Sequence, residues 1–198
     1  MVVDSVTKVT FPAYSRIQHD KQALQSGIEK SLFAVSLILF PILAIFSVLI
    51  GQIILLIPRY EKWQPALPSF YFFAAGAAVS ALSNILVNAL DATGRVKTTL
   101  GLMVIWIILT WGFTLSLTSK FGFSGVAVAS FLVTLTIVVT IRLVKKVVEF
   151  NFLDSIWQPV FSTLVMFLVV FFLSTKLPTG YPSLVLLAVV GGIIYIGI

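Results

Sequence analysis

The chain has 198 residues, of which 59% are hydrophobic and 10% are charged, and its mean hydropathy is +1.10. Soluble domains carry about 25% charged residues, so this composition excludes a water-soluble globular protein and indicates an integral membrane protein. The net charge of +6 does not point to nucleic acid, because the lysines and arginines lie between apolar runs and fit topology determinants better.

Cysteine is absent, which excludes a disulfide framework and a thiolate metal site. The lone histidine, His19, sits in a polar stretch without a metal-ligand spacing around it and reads as a solvated residue.

Residues 1–31 precede the first full span and read as the end of an earlier helix followed by a cytoplasmic link. Asp20 suits a helix N-cap, and Leu24, Ile28 and Leu32 recur every four residues. That pattern predicts an amphipathic helix lying at the membrane surface. Six uncharged runs follow: Leu32 to Ile57, Pro68 to Leu90, Thr98 to Thr118, Phe121 to Ile141, Ile156 to Thr175 and Tyr181 to Ile198. Each suits a helix crossing the roughly 30 Å hydrocarbon layer. The fold class is therefore an all-α integral membrane protein of about six transmembrane helices. Pro41 is the expected kink of the long first span. Residues 32–146 group as four helices, and 147–198 as two additional ones. The second of these stops inside an apolar run, which suggests a longer protein.

The second run is the least uniform. Taking about 100° per residue, Ser80, Asn84, Asn88 and Asp91 fall within roughly 80° of arc, and Arg95 continues the stripe into a basic turn. An unpaired amide in hydrocarbon is costly, so this face is not expected to meet lipid. It lines a hydrated cavity or bridges to a neighbouring helix; both readings fit two asparagines on one face. Phe72, Leu82 and Ile85 are expected on the opposite side. In the fourth run, Gly125 and Ala129 form a small-xxx-small pair with Gly122 and Ser130 beside them, which predicts close helix packing. Trp106, Trp111, Trp157, Tyr181 and Tyr195 read as packing or interface aromatics.

Nine lysines and arginines fall on the side holding the N-terminal segment, the Arg95 turn and the Lys145 link, against four on the other. The excess predicts that this side is cytoplasmic.

Several of these features together resemble the C-terminal part of the polysaccharide (O-antigen and lipid-linked oligosaccharide) flippases. These belong to the multidrug/oligosaccharidyl-lipid/polysaccharide exporter superfamily. Phe11-Pro12-Ala13-Tyr14-Ser15-Arg16, with Asp20 and Leu24 after it, looks like the ending of a helix in that family. Pro41 and the run Ile53 to Ile57, followed by Trp63, are similar to its next span. The turn from Leu90 to Lys97 and the stretch from Phe121 to Ser130 look like two later signatures.

The resemblance implies a two-lobed helical transporter working by alternating access. Residues 32–146 would be four helices of the second lobe, the last two helices would be the extra pair of fourteen-helix members, and the N-terminal lobe would lie outside this chain. It also implies a polyprenyl-linked oligosaccharide as substrate, moved from the cytoplasmic to the outer leaflet of the plasma or inner membrane, with membrane lipids as further partners.

On that reading Ser80, Asn84 and Asn88 face the sugar, while Arg16, Arg95 and Lys97 attract pyrophosphate at the cytoplasmic mouth. No catalytic residue, metal site or cofactor is called for. A cation-coupled multidrug exporter of the same superfamily is the alternative, although such pumps need an ionisable group within a span and the carboxylates here lie at span ends. A membrane-embedded polysaccharide polymerase or glycosyltransferase, and a purely structural subunit, are further alternatives; the links are short and poor in acids and histidine.

Overall fold

Eight α-helices and one 3-10 turn carry the chain in a computed structural model that describes residues 2–198, with side chains from residue 8 onward. In order they are α1 (Val2–Ile17), α2 (Lys21–Leu56), the 3-10 turn Glu61–Ala66, α3 (Leu67–Ala92), α4 (Val96–Phe121), α5 (Ser124–Thr134), α6 (Ile137–Lys145), α7 (Phe152–Lys176) and α8 (Tyr181–Gly197). Five segments are long and apolar enough to cross a membrane: α2, the 3-10 turn with α3, α4, α5 with α6, and α7; α8 is a shorter apolar helix. The chain is an all-α, multi-pass membrane protein.

The N-cap at Asp20 forms as its residue type demands. Its carboxylate accepts the N–H groups of Gln22 at 2.9 Å and Ala23 at 3.0 Å, satisfying two donors that a helix start leaves open. The helix that follows differs from the expected surface segment. It runs unbroken for 36 residues, so position 31 is inside a helix and not at a boundary. The Leu24–Ile28–Leu32 stripe is buried in the main core with Tyr14, Leu86 and Val144. An apolar stripe of this kind needs a partner, and here protein rather than lipid headgroups supplies it.

Pro41 also lies inside α2. Proline has no N–H, which strips the carbonyl four residues earlier of its helical donor. That carbonyl, on Leu37, accepts the Tyr195 hydroxyl of α8 at 2.8 Å. The aromatic expected to serve only packing thus satisfies the gap left by the proline.

The predicted fourth span is two helices. At its middle the pattern tightens: Leu135 N–H donates to Leu132 O at 3.2 Å and Thr136 N–H to Val133 O at 3.1 Å, the i→i+3 bonds of a 3-10 turn. Before it, Gly122 takes φ 58, a left-handed conformation that folds α5 tightly back on α4. Gly125 then sits against the backbone of Leu117 and Thr118, where any side chain would collide. The small-residue face is a packing face.

Two apolar cores result. The larger gathers α1, the start of α2, α3 and the end of α6; the smaller holds Leu49, Met166, Val170 and Leu187 from α2, α7 and α8. Helix α2 belongs to both, so α7 and α8 reach the rest of the fold mainly through it. Helix α4 buries only Thr99 and Leu102 and turns large apolar side chains such as Ile108, Trp111 and Leu115 outward, as a lipid-facing helix does.

Candidate functional site

Polar side chains meet along a groove between α3, α4 and α5. Its inner part is a cavity of about 230 Å³ lined by Ser80, Ser83, Asn84, Trp106, Val133, Thr134 and Thr136. It continues into a cleft of about 390 Å³ lined by Phe72, Phe73, Gly76, Ala77, Ser80, Thr110, Ser130, Val133 and Thr134. Ser80, Val133 and Thr134 line both, so the two adjoin along one groove.

The walls have a local cause. Ser80 and Asn84 are one turn apart on α3 and share a face. The opposite wall owes its shape to the 3-10 turn, which brings Thr134 and Thr136 to the same side. Thr136 accepts the Trp106 indole N–H at 2.8 Å and donates its own hydroxyl to Val133 O at 2.7 Å. Thr134 donates to Phe131 O at 2.6 Å, and Ser130 to Val126 O at 2.9 Å. These hydroxyls spend their protons on backbone and keep acceptor lone pairs. On the α3 wall the situation is reversed: among the described residues Ser80, Ser83 and Asn84 have no hydrogen-bond partner for their side chains. The groove therefore offers hydroxyl and amide donors on one side, acceptors on the other, and an indole between them. It contains no acid, base or metal-ligand set, and no group of three or more His, Cys, Asp or Glu that could hold a metal occurs among the described residues.

The stripe read from sequence is divided by the structure. Ser80 and Asn84 line the groove. Asn88 does not: it is 7% exposed, and its Nδ2 donates to Thr10 Oγ1 of α1 at 3.1 Å. At 80° from Ser80 a residue on α3 already meets α1, which angular reasoning about one helix does not reveal. Leu82 and Ile85 are buried in the main core as expected, but Phe72 lines the outer groove and packs its ring 5.9 Å from that of Phe131. Arg16, Arg95 and Lys97 are exposed at helix ends and line neither part of the groove. The structure adds Ser83, Trp106, Thr110, Ser130, Thr134 and Thr136. The alternation Thr134-Leu135-Thr136 inside an apolar run was the available signal.

Residues 1–68 match the family described as polysaccharide biosynthesis protein. The chain is 30% identical over 156 residues to the uncharacterized membrane protein MJ1068 of Methanocaldococcus jannaschii, covering 77% of this chain and 31% of that protein. It is 29% identical over 92 residues to an uncharacterized membrane protein in the cps region of Klebsiella pneumoniae, covering 46% of this chain and 19% of that protein. Its fold is similar to that of the lipid II flippase MurJ in an inward closed conformation, with a TM-score of 0.75 at 16% identity over 95% of this chain and 41% of that one. The chain thus spans about a third of the length of the first of these relatives. The first third of the chain thus matches the polysaccharide biosynthesis protein family, and nearly the whole chain shares the helical membrane fold of the MurJ structure.

Proposed function

We propose that this chain is the C-terminal part of a transporter that flips a polyprenyl-linked oligosaccharide from the cytoplasmic to the outer leaflet, and that the α3–α4–α5 groove contacts the sugar. One observation carries the reading: three unpaired polar side chains, Ser80, Ser83 and Asn84, line a groove inside a membrane-spanning segment. Unpaired amides and hydroxyls facing hydrocarbon are costly, so their partner is water or a polar ligand. Donors, acceptors and an aromatic face together match the chemistry of a sugar. The groove holds no reacting groups, which fits transport and gives an enzyme nothing to work with. The flippase fold and the polysaccharide-biosynthesis family support the substrate class.

In this reading the protein resides in the plasma or inner membrane with its N-terminal segment cytoplasmic, and a first lobe outside this chain completes the alternating-access pair. Arg16, Arg95 and Lys97 attract the pyrophosphate from outside the groove.

The test uses the full-length protein in a flippase-deficient strain. Asn84→Leu is expected to lower export by about three- to tenfold, the loss of one hydrogen bond to the ligand, at unchanged membrane level. A cysteine at position 84 is expected to react with small water-soluble thiol reagents, and cysteines at 82 and 85 are not. Full export by Asn84→Leu together with an unreactive cysteine at 84 would remove the groove from the transport path.

A further inference from the structure

A second polar cleft, of about 380 Å³, lies away from the groove, between the first turns of α2 and the link from α6 to α7. Its lining holds three lysines, Lys21, Lys145 and Lys146, the amides of Gln22 and Gln25, and one carboxylate, Glu149. Among the described residues none of these lysines is in an ion pair. The Lys145 ammonium lies 5.9 Å from the centroid of the Phe150 ring, and Phe150 is itself buried in the main core. That contact holds one charge against the wall.

The frame is also built. Gln25 Nε2 donates to Glu29 Oε1 at 3.1 Å, and the Asn151 N–H donates to the same oxygen at 3.0 Å. The first bond fixes the Glu29 carboxylate within α2, and the second ties α2 to the α6–α7 link, so the spacing of Lys21 from Lys145 and Lys146 is set by the fold. Lys145 lies four residues past Ile141, the end of the uncharged run, or about 6 Å along the helix. That is the depth of the headgroup layer, which extends roughly 5–7 Å beyond the hydrocarbon on each side.

We propose that this cleft binds the phosphate of an anionic phospholipid headgroup from the surrounding bilayer. Three cations face one anion in a concave site at headgroup depth, and a basic pocket between membrane helices suits that ligand. The bound phosphate bridges α2 and the α6–α7 link, the two places through which α7 and α8 join the rest of the molecule. A polyprenyl pyrophosphate carries the same phosphate chemistry, and the experiment separates the two sources.

Native mass spectrometry of the full-length protein in mild detergent, titrated with dioleoyl phosphatidylglycerol, dioleoyl phosphatidylethanolamine and undecaprenyl pyrophosphate, tests the site. In the Lys21→Gln/Lys145→Gln/Lys146→Gln variant, phosphatidylglycerol binding is expected to weaken by about tenfold or more, with phosphatidylethanolamine binding unchanged. Replacement of the same three lysines by arginine should retain it, as should the Lys62→Gln/Lys176→Gln pair, which removes equally exposed charges elsewhere. The exposed single change Lys146→Gln should show a loss of about two- to fivefold without any question of folding. Unchanged phosphatidylglycerol binding in the triple glutamine variant would overturn the proposal. So would an equal loss in the Lys62/Lys176 pair, or a loss confined to undecaprenyl pyrophosphate.

Discussion

Asn84 and Asn88 are one helical turn apart and have opposite fates. Asn88 is buried and donates to Thr10, so its role is to hold α3 against α1. Asn84 has no such partner among the described residues and faces the groove. The two substitutions should therefore separate stability from the proposed transport role. A double-mutant cycle of Asn88→Ala with Thr10→Ala, read by thermal unfolding in detergent, should give a coupling of roughly 0.6–1.7 kcal/mol, the range for hydrogen bonds between membrane helices. Asn84→Leu should leave the unfolding temperature unchanged. A zero coupling for the Asn88 pair would mean that the 3.1 Å bond adds nothing to helix association.

At the level of the elements, the close α4–α5 hairpin builds the groove, and Gly125 permits that hairpin. A Cβ there meets the Leu117 carbonyl group and the Thr118 nitrogen, which are backbone atoms within a helix and cannot swing aside. Gly125→Ala should destabilise by about 1–3 kcal/mol as an overpacked contact, and the groove should open with it. Gly112, on the same α4 helix, has open space at its Cβ position. Gly112→Ala should be neutral or stabilise by up to about 1 kcal/mol, since alanine is the better helix former. Equal effects of the two changes on the unfolding temperature would show that backbone approach at Gly125 is not what limits the site.

Across the whole molecule, charge and topology make one prediction. Arg59, Lys62, Lys120 and Lys176 lie at or just beyond the C-terminal ends of α2, α4 and α7, while Arg95, Lys97, Lys145 and Lys146 lie at the other ends of the spans. With nine cations on one side and four on the other, the richer side should be cytoplasmic. The chain has no cysteine, so single cysteines read out without background. In intact cells a membrane-impermeant thiol reagent should label Lys62→Cys and Lys120→Cys but not Lys97→Cys or Lys145→Cys. The reverse pattern would invert the orientation of the chain and the leaflet that supplies the lipid proposed for the basic cleft.

The spans were legible because hydrocarbon imposes a one-dimensional rule, about 20 apolar residues per crossing, that a sequence must write out in order. The Asp20 cap and the Gly125 packing face were legible because each follows from a residue type within a few positions of its partner or its helix. What the sequence could not decide depends on contacts between residues far apart in the chain. Whether the Leu24–Ile28–Leu32 stripe lies on lipid or on protein depends on where Tyr14, Leu86 and Val144 arrive. Whether Asn88 meets water or Thr10 depends on α1 crossing α3, 78 positions away in the chain. Periodicity places a residue on a face of its helix, and only the tertiary structure decides what that face meets, because the free energy of a polar group in a membrane is set by its partner.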